Sequence, residues 1–296
     1  MQGAVEPTIR SMSSETEFRI EVDRSRKAQQ TMPLPLRVGA VSYLNAKPLY
    51  HRFADFAPGV SLEMDVPSRL AGRLAAGSLD VALIPSVEYL RGLPAGYRII
   101  PGFAIAARGA VRSVKLFSRV PLGRIQRLAL DEGSRTSQAL VRVFLAEVHG
   151  VRPRSVESLP LGVPVQESTA DAILLIGDRA MRACLPGYRF AYDLGEEWTA
   201  WTGLPMVFAV WAVRNGVELG EAEAAFHRAK EHGLANAGAI AQREAPALGL
   251  DAGFCRRYMS NVIRYDLGPA ELAGMRKFRE LAEEMESRRQ KTLAAR

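Results

Sequence analysis

Three times in this chain a run of three or four largely apolar residues stops at a polar turn and gives way to a helical pattern. Val38 to Val41 precedes Ser42-Tyr43-Leu44-Asn45, Val81 to Ile84 precedes Pro85-Ser86, and Leu128 to Leu130 precedes Asp131 to Ser137. Runs this short and this continuously apolar read as strands buried on both faces, the mark of an α/β sheet covered by helices. A functional constraint follows. In open α/β sheets ligands bind beyond the carboxyl ends of the strands, where N–H groups at the next helix start can meet an anion. The polar corners are therefore the candidate site, and the reading requires all three to converge.

Between the corners the pattern continues in kind. Ser61 to Val66 reads as a strand, Pro48 to Phe53 as a short helix, and Pro67-Ser68 as the start of another, with Ser68 as N-cap and Gly77 at its end. Tyr97 to Phe117 alternates like a long bent ribbon that leaves a first lobe. Met206 to Val213 is a further strand that carries the chain back, and Asp80 to Ser86 is echoed by Asp171 to Gly177. A lobe left once and re-entered once has two connecting segments, which make a hinge. The expected organisation is a disordered extension over 1–35, lobe one over 36–116 and 213–288, lobe two over 117–212, and a tail over 289–296. Pro269 to Arg288 is the clearest helix, with Leu272, Met275, Phe278, Ala282 and Met285 recurring at helical intervals.

Composition narrows the function classes. At 296 residues and 48% hydrophobic the bulk is globular, and a formal charge of +7 arises from 39 Lys and Arg spread among 32 acids without a dense basic run. That pattern favours a small anionic ligand over nucleic acid, and no RNA- or DNA-binding motif is present. Cys184 and Cys255 lack a CxxC spacing or a neighbouring His, so they read as plain thiols and no metal site is expected. No apolar stretch reaches the ~18 residues of a membrane span. Residues 1 to 33 contain no apolar run suited to a secretory signal, which places the expected protein in the cytoplasm, as a monomer or homodimer.

Four segments then say more than the pattern does: Arg37-Val-Gly-Ala-Val-Ser-Tyr-Leu-Asn-Ala-Lys-Pro-Leu49, Asp80-Val-Ala-Leu-Ile-Pro-Ser-Val-Glu-Tyr89, Asp131-Glu-Gly-Ser-Arg-Thr-Ser137 and Trp201-Thr-Gly-Leu-Pro-Met-Val-Phe-Ala-Val-Trp211. Together, over about residues 36 to 285, they resemble the menaquinone biosynthesis enzymes of the futalosine route, in their chorismate dehydratase branch. The resemblance implies a two-lobe α/β fold of the type 2 periplasmic-binding-protein kind with a hinged cleft. It also implies loss of water from chorismate to give 3-[(1-carboxyvinyl)oxy]benzoate, with no cofactor.

Chorismate carries two carboxylates, so its site needs at least two anion-binding corners. Asn45 and Ser86 are the candidate catalytic residues, Asn45 bonding the departing hydroxyl or a substrate carboxylate and Ser86 positioning the substrate. Ser42, Tyr43, Ser134, Arg135, Thr136, Ser137 and Trp201 are candidate substrate contacts, with Arg135 able to add a bidentate bond. A substrate carboxylate could itself take the proton. The plainer readings stand beside these: Ser42, Ser86 and Ser134 as helix caps, Asn45 as a turn residue, Trp198 and Trp201 as core, Asp80 and Asp171 as carboxylates bonding loop N–H groups. Three other functions share the fold. A 1,4-dihydroxy-6-naphthoate synthase of the same pathway would be expected to place a histidine in the cleft, a solute-binding protein would bind without turnover, and a regulator's sensing domain would follow a DNA-binding unit.

Overall fold

The protein is described here by a computed structural model covering residues 36–294. The expected extension 1–35 lies outside the described residues. The chain opens with β1 (Arg37–Val41), β2 (Ser61–Asp65), β3 (Val81–Pro85), β4 (Arg98–Ile99) and β5 (Ile105–Ala107). It then builds a second sheet from β6 (Val114–Ser118), β7 (Arg127–Asp131), β8 (Ser155–Leu159), β9 (Ala172–Ile176) and β10 (Phe190–Asp193), and returns to the first with β11 (Met206–Val213). The central strands β3, β9 and β11 are buried along their whole length, whereas the edge strands β2 and β8 are largely exposed. Continuous apolar runs are what strands covered by helices on both faces require.

The two sheets repeat one topology. The first runs β2-β1-β3-β11 and the second β8-β7-β9-β6, in each case three parallel strands and then an antiparallel fourth. The echo between Asp80–Ser86 and Asp171–Gly177 is thus a pair of equivalent strands. Their aspartates also do equivalent work. Asp80 Oδ2 accepts the N–H of Arg37, first residue of β1, at 3.0 Å, and Asp171 Oδ2 accepts that of Arg127, first residue of β7, at 2.8 Å. Each ties a strand start to its neighbour, the structural role the sequence suggested.

Among the described residues there are ten α-helices: α1 (Phe53–Phe56), α2 (Pro67–Ala75), α3 (Ser86–Gly92), α4 (Arg135–His149), α5 (Gly177–Arg182), α6 (Leu194–Thr202), α7 (Ala222–Ala235), α8 (Ala237–Leu248), α9 (Ala252–Arg257) and α10 (Pro269–Ala294). Some local expectations change. Ser68 does not cap α2; Val66 does, with Pro67 as first helical residue, because proline's fixed φ suits that place. The helix expected over Pro48 to Phe53 is a 3-10 turn over Leu44–Tyr50 with Pro48 inside it, since proline lacks the N–H that an α-helix would use. β8 and β10 carry no apolar run, so no local pattern marks them as strands. The last helix continues through 289–294, where a tail was expected.

The chain passes between the sheets before Val114 and again before Met206, so boundaries at 116/117 and 212/213 fall inside β6 and at the end of β11. The continuous strand-like pattern hides the first crossing. What marks it is backbone geometry, with Gly109 at φ +91° and Arg112 at φ +66°. The two crossings are laced together: Thr199 Oγ1 accepts the Gly109 N–H at 2.8 Å, and Asp193, the N-cap of α6, accepts those of Val111 and Arg112 at 2.9 and 2.7 Å.

Asp80 also binds the side chains of Arg37 and Arg214, and the hydrogen bond from Arg37 chiefly holds its carboxyl well below the usual carboxylate range. Asp80→Asn is expected to lower Tm by roughly 3–8 °C at neutral pH. A depressed carboxylate contributes fully above its ordinary pKa of about 4 and loses that contribution as pH falls through its folded value. Thermal melts at falling pH should therefore show the variant and wild type converging.

Candidate functional site

The corners after β1, β7 and β9 meet over one cavity between the two sheets, whose volume of about 40 Å³ is far below the roughly 300–1,000 Å³ usual for ligand sites, while the corner after β3 does not line it. Tyr43 and Asn45 reach it from the β1 corner, Ser134 and Ser137 from the start of α4, Gly177 from the start of α5, and Ser113 from the first crossing. Pro67, Ile105, Val111 and Phe208 supply an apolar wall, and among the described residues no lysine, arginine, histidine or carboxylate lines it. An anion here would meet hydroxyls, an amide and backbone N–H groups. The start of α4 suits that task, because Ser134 caps a 15-residue helix by accepting the Ser137 N–H while its Oγ also takes the Ser137 hydroxyl at 3.1 Å.

The other expected residues lie elsewhere. Ser42 is exposed, with its N–H on Asp65 O. Ser86 is fully buried; its Oγ donates to Val207 O at 2.7 Å and lies 3.3 Å from Thr136 Oγ1, which accepts the Val87 N–H. Ser86 and Thr136 therefore join the starts of α3 and α4 beneath the site and do not line it. Arg135 turns outward to Glu88 at 2.7 Å. Trp201 stacks edge-on against Trp198, whose Nε1 donates to Pro205 O, and neither tryptophan lines the cavity. A helix turn advances each side chain by about 100°, so of four consecutive residues from 134 to 137 only two can face the same cavity.

Two residues that sequence reasoning passed over, Ser113 in the lining and Tyr258 behind it, extend the polar set. Tyr258 is buried in a π-helical turn over Tyr258–Val262, and its hydroxyl donates to Ser113 Oγ at 2.8 Å. Burial pushes that phenol well above its ordinary pKa, while hydrogen bonding with Ser113 and Asn45 opposes the shift. Asn45 Oδ1 is buried with no protein partner, an acceptor left for a ligand donor. Ser113 follows a left-handed residue in an irregular crossing, and Tyr258 lies 213 positions from Asn45, so neither carried a local signal. The histidines stay outside: His149 packs on Phe144 at the far end of α4, and His51 stacks on His232.

Beneath the β7 corner sits Asp131, fully buried, with Oδ1 accepting the Gly133 N–H at 2.9 Å and Oδ2 3.6 Å from Arg179. Burial pushes its carboxyl up to about 6, the Gly133 bond and Arg179 opposing. Between its ordinary value near 4 and this one the folded protein holds more protons than the unfolded chain, so stability falls as pH rises across that window. Asp131→Asn should flatten this part of the profile; melts from roughly pH 4 to 7 that ran parallel to wild type would contradict the assignment.

Comparison with known proteins agrees with this architecture. Residues 36–284 match the model of a family described as menaquinone biosynthesis. A chorismate dehydratase of Thermus thermophilus is 33% identical over 263 residues, covering 83% of this chain and 94% of that protein. Among solved structures, a protein of Archaeoglobus fulgidus aligns with a TM-score of 0.66 at 17% identity, over 86% of this chain and 99% of that one. The alkanesulfonate-binding protein SsuA of Xanthomonas axonopodis pv. citri aligns at 0.62 and 15%, over 87% and 94%. The two-lobe fold is that of the periplasmic binding proteins, and on the extent of the sequence match the chain belongs to the menaquinone biosynthesis family.

Proposed function

We propose that this protein is a chorismate dehydratase, a carbon-oxygen hydro-lyase that converts chorismate to 3-[(1-carboxyvinyl)oxy]benzoate and water in the cytoplasm. The observation that carries the reading beyond the family match is the cavity itself: an uncharged lining that holds Ser134 and Ser137 of a helix start, Asn45 with its unpartnered buried Oδ1, and Ser113, which accepts the Tyr258 hydroxyl. A helix N-terminus favours a carboxylate by roughly 0.3–2 kcal/mol without a counter-ion. One carboxylate of the substrate sits on α4, and the ring hydroxyl meets Asn45 and Ser113.

The chemistry asks little more of the protein. The proton on ring C3 leaves, the C3–H electron pair forms the C3=C4 bond, and the C4 oxygen departs as hydroxide and is protonated to water. Aromatisation supplies the driving force, so orientation and a donor for the leaving oxygen are the protein's share. No lining side chain is a carboxylate, histidine or lysine, which leaves a carboxylate of the substrate to accept the C3 proton. The same absence of a lining histidine speaks against the dihydroxynaphthoate synthase alternative, and closure of the two lobes excludes water from the reacting ring.

Incubating the purified protein with chorismate, without added metal or cofactor, should yield a product lighter by one water with the ultraviolet spectrum of a substituted benzoate. Chorismate returned unchanged beyond its spontaneous decay would sink the reading, and tight binding without turnover would point to a solute-binding role. Asn45→Ala is expected to lower kcat by about 10²-fold and Ser113→Ala by about 10-fold. Folded variants that kept wild-type turnover would remove both residues from the mechanism.

A further inference from the structure

Tyr43 stands at the end of β1, two residues before Asn45, yet its ring lies against the other lobe. A methyl group added at Gly133, in the turn after β7, would sit 2.7 Å from Tyr43 Oη, and one added at Gly177, at the start of α5, would sit 3.0 Å from the ring carbons. The ring thus fills a slot that exists because both positions lack a side chain. Its hydroxyl is buried and makes no hydrogen bond within the protein, so shape holds the ring there. Two backbone ties flank it: the Leu44 N–H donates to Asp178 Oδ1 at 3.1 Å, and the Ser68 N–H donates to Gly133 O at 3.1 Å. Tyr43 O in turn accepts the Ala46 N–H at 3.0 Å, closing the 3-10 turn that carries Asn45. Where the ring sits decides where that turn begins.

We propose that Tyr43 is a positioning residue: seating of its ring between Gly133 and Gly177 as the lobes close is what brings Asn45 into register in the cavity. The consequence for catalysis rests on the dehydratase reading. Substrate binding and chemistry are thereby coupled, because the corner is complete only when the second lobe is in place.

Gly133→Ala is the direct test. Its new Cβ meets the Tyr43 oxygen at 2.7 Å, while its contacts within its own lobe, Asp131 Oδ1 and Ile176 Cδ1 at 3.1 Å, are only tight. Gly177 has φ +60°, so alanine there would be strained for an unrelated reason. The full chain is prepared as wild type, G133A and G133A/Y43F, with thermal melts to establish folding. G133A should lose about 10²-fold in kcat with a smaller change in KM, since a displacement near 1 Å has that cost. Without ligand, its radius of gyration by small-angle scattering should exceed that of wild type. Tyr43→Phe deletes the clashing oxygen, so the double variant should regain at least about 10-fold of the lost kcat and the compact radius.

A G133A protein with wild-type kcat and radius overturns the proposal. So does a double variant no better than the single, because strain confined to Asp131 or Ile176 would not respond to loss of the phenol oxygen. Should G133A not fold, Tyr43→Ala replaces it: an expanded radius and lower kcat are expected, and an unchanged pair of values refutes the assignment. Wild type inactive toward chorismate defeats the dehydratase reading alone, and the ligand-free scattering comparison still decides whether the ring is seated.

Discussion

Helix starts that face another lobe must find acceptors for their N–H groups, and this molecule meets that demand across the cleft. Leu44 donates to Asp178, Ser68 to Gly133 and Val87 to Thr136, so each of three helical turns on the first sheet ends on an acceptor carried by the second. A buried N–H without a partner costs about 1–3 kcal/mol, and the closed arrangement is where all three are satisfied. In an opened arrangement water would take those places.

The repeated topology explains why the site falls where it does. Each sheet points the carboxyl ends of its three parallel strands at the cleft, and each opens a set of helices there. The two halves contribute different groups to the cleft. The second contributes the long helix α4 with its serine cap, which suits an anion, and two glycines that receive a ring. The first contributes the ring itself and the amide of Asn45. Among the described residues no charged side chain lines the cavity, so its polar character comes from the placement of neutral groups.

Local pattern made part of this legible. The buried strands Val81–Pro85 and Ala172–Ile176 are continuous apolar runs, and their equivalence was visible as the repeated Asp-led segment. Tyr43, Asn45, Ser134 and Ser137 belong to corners recognisable from composition alone, and they line the cavity. Ser42, Ser86, Arg135, Thr136 and Trp201 belong to the same segments and do not line it, because which face of a turn or helix meets the cleft depends on how the other lobe docks. Ser113 and Tyr258 had no pattern to betray them: one lies in a crossing, the other in a π-turn far along the chain.

The amino-acid sequence by itself determined the two-lobe α/β class, the family and the corners where ligand chemistry is concentrated, because strand burial and turn composition are local properties that persist in any packing. Only the tertiary structure decided which hydroxyls face the cavity, that Ser86 and Thr136 join helices beneath it, and that a tyrosine of one lobe rests on two glycines of the other. Those are matters of contact between segments some 50 to 210 residues apart, set by the mutual docking of two sheets, and no local window contains them.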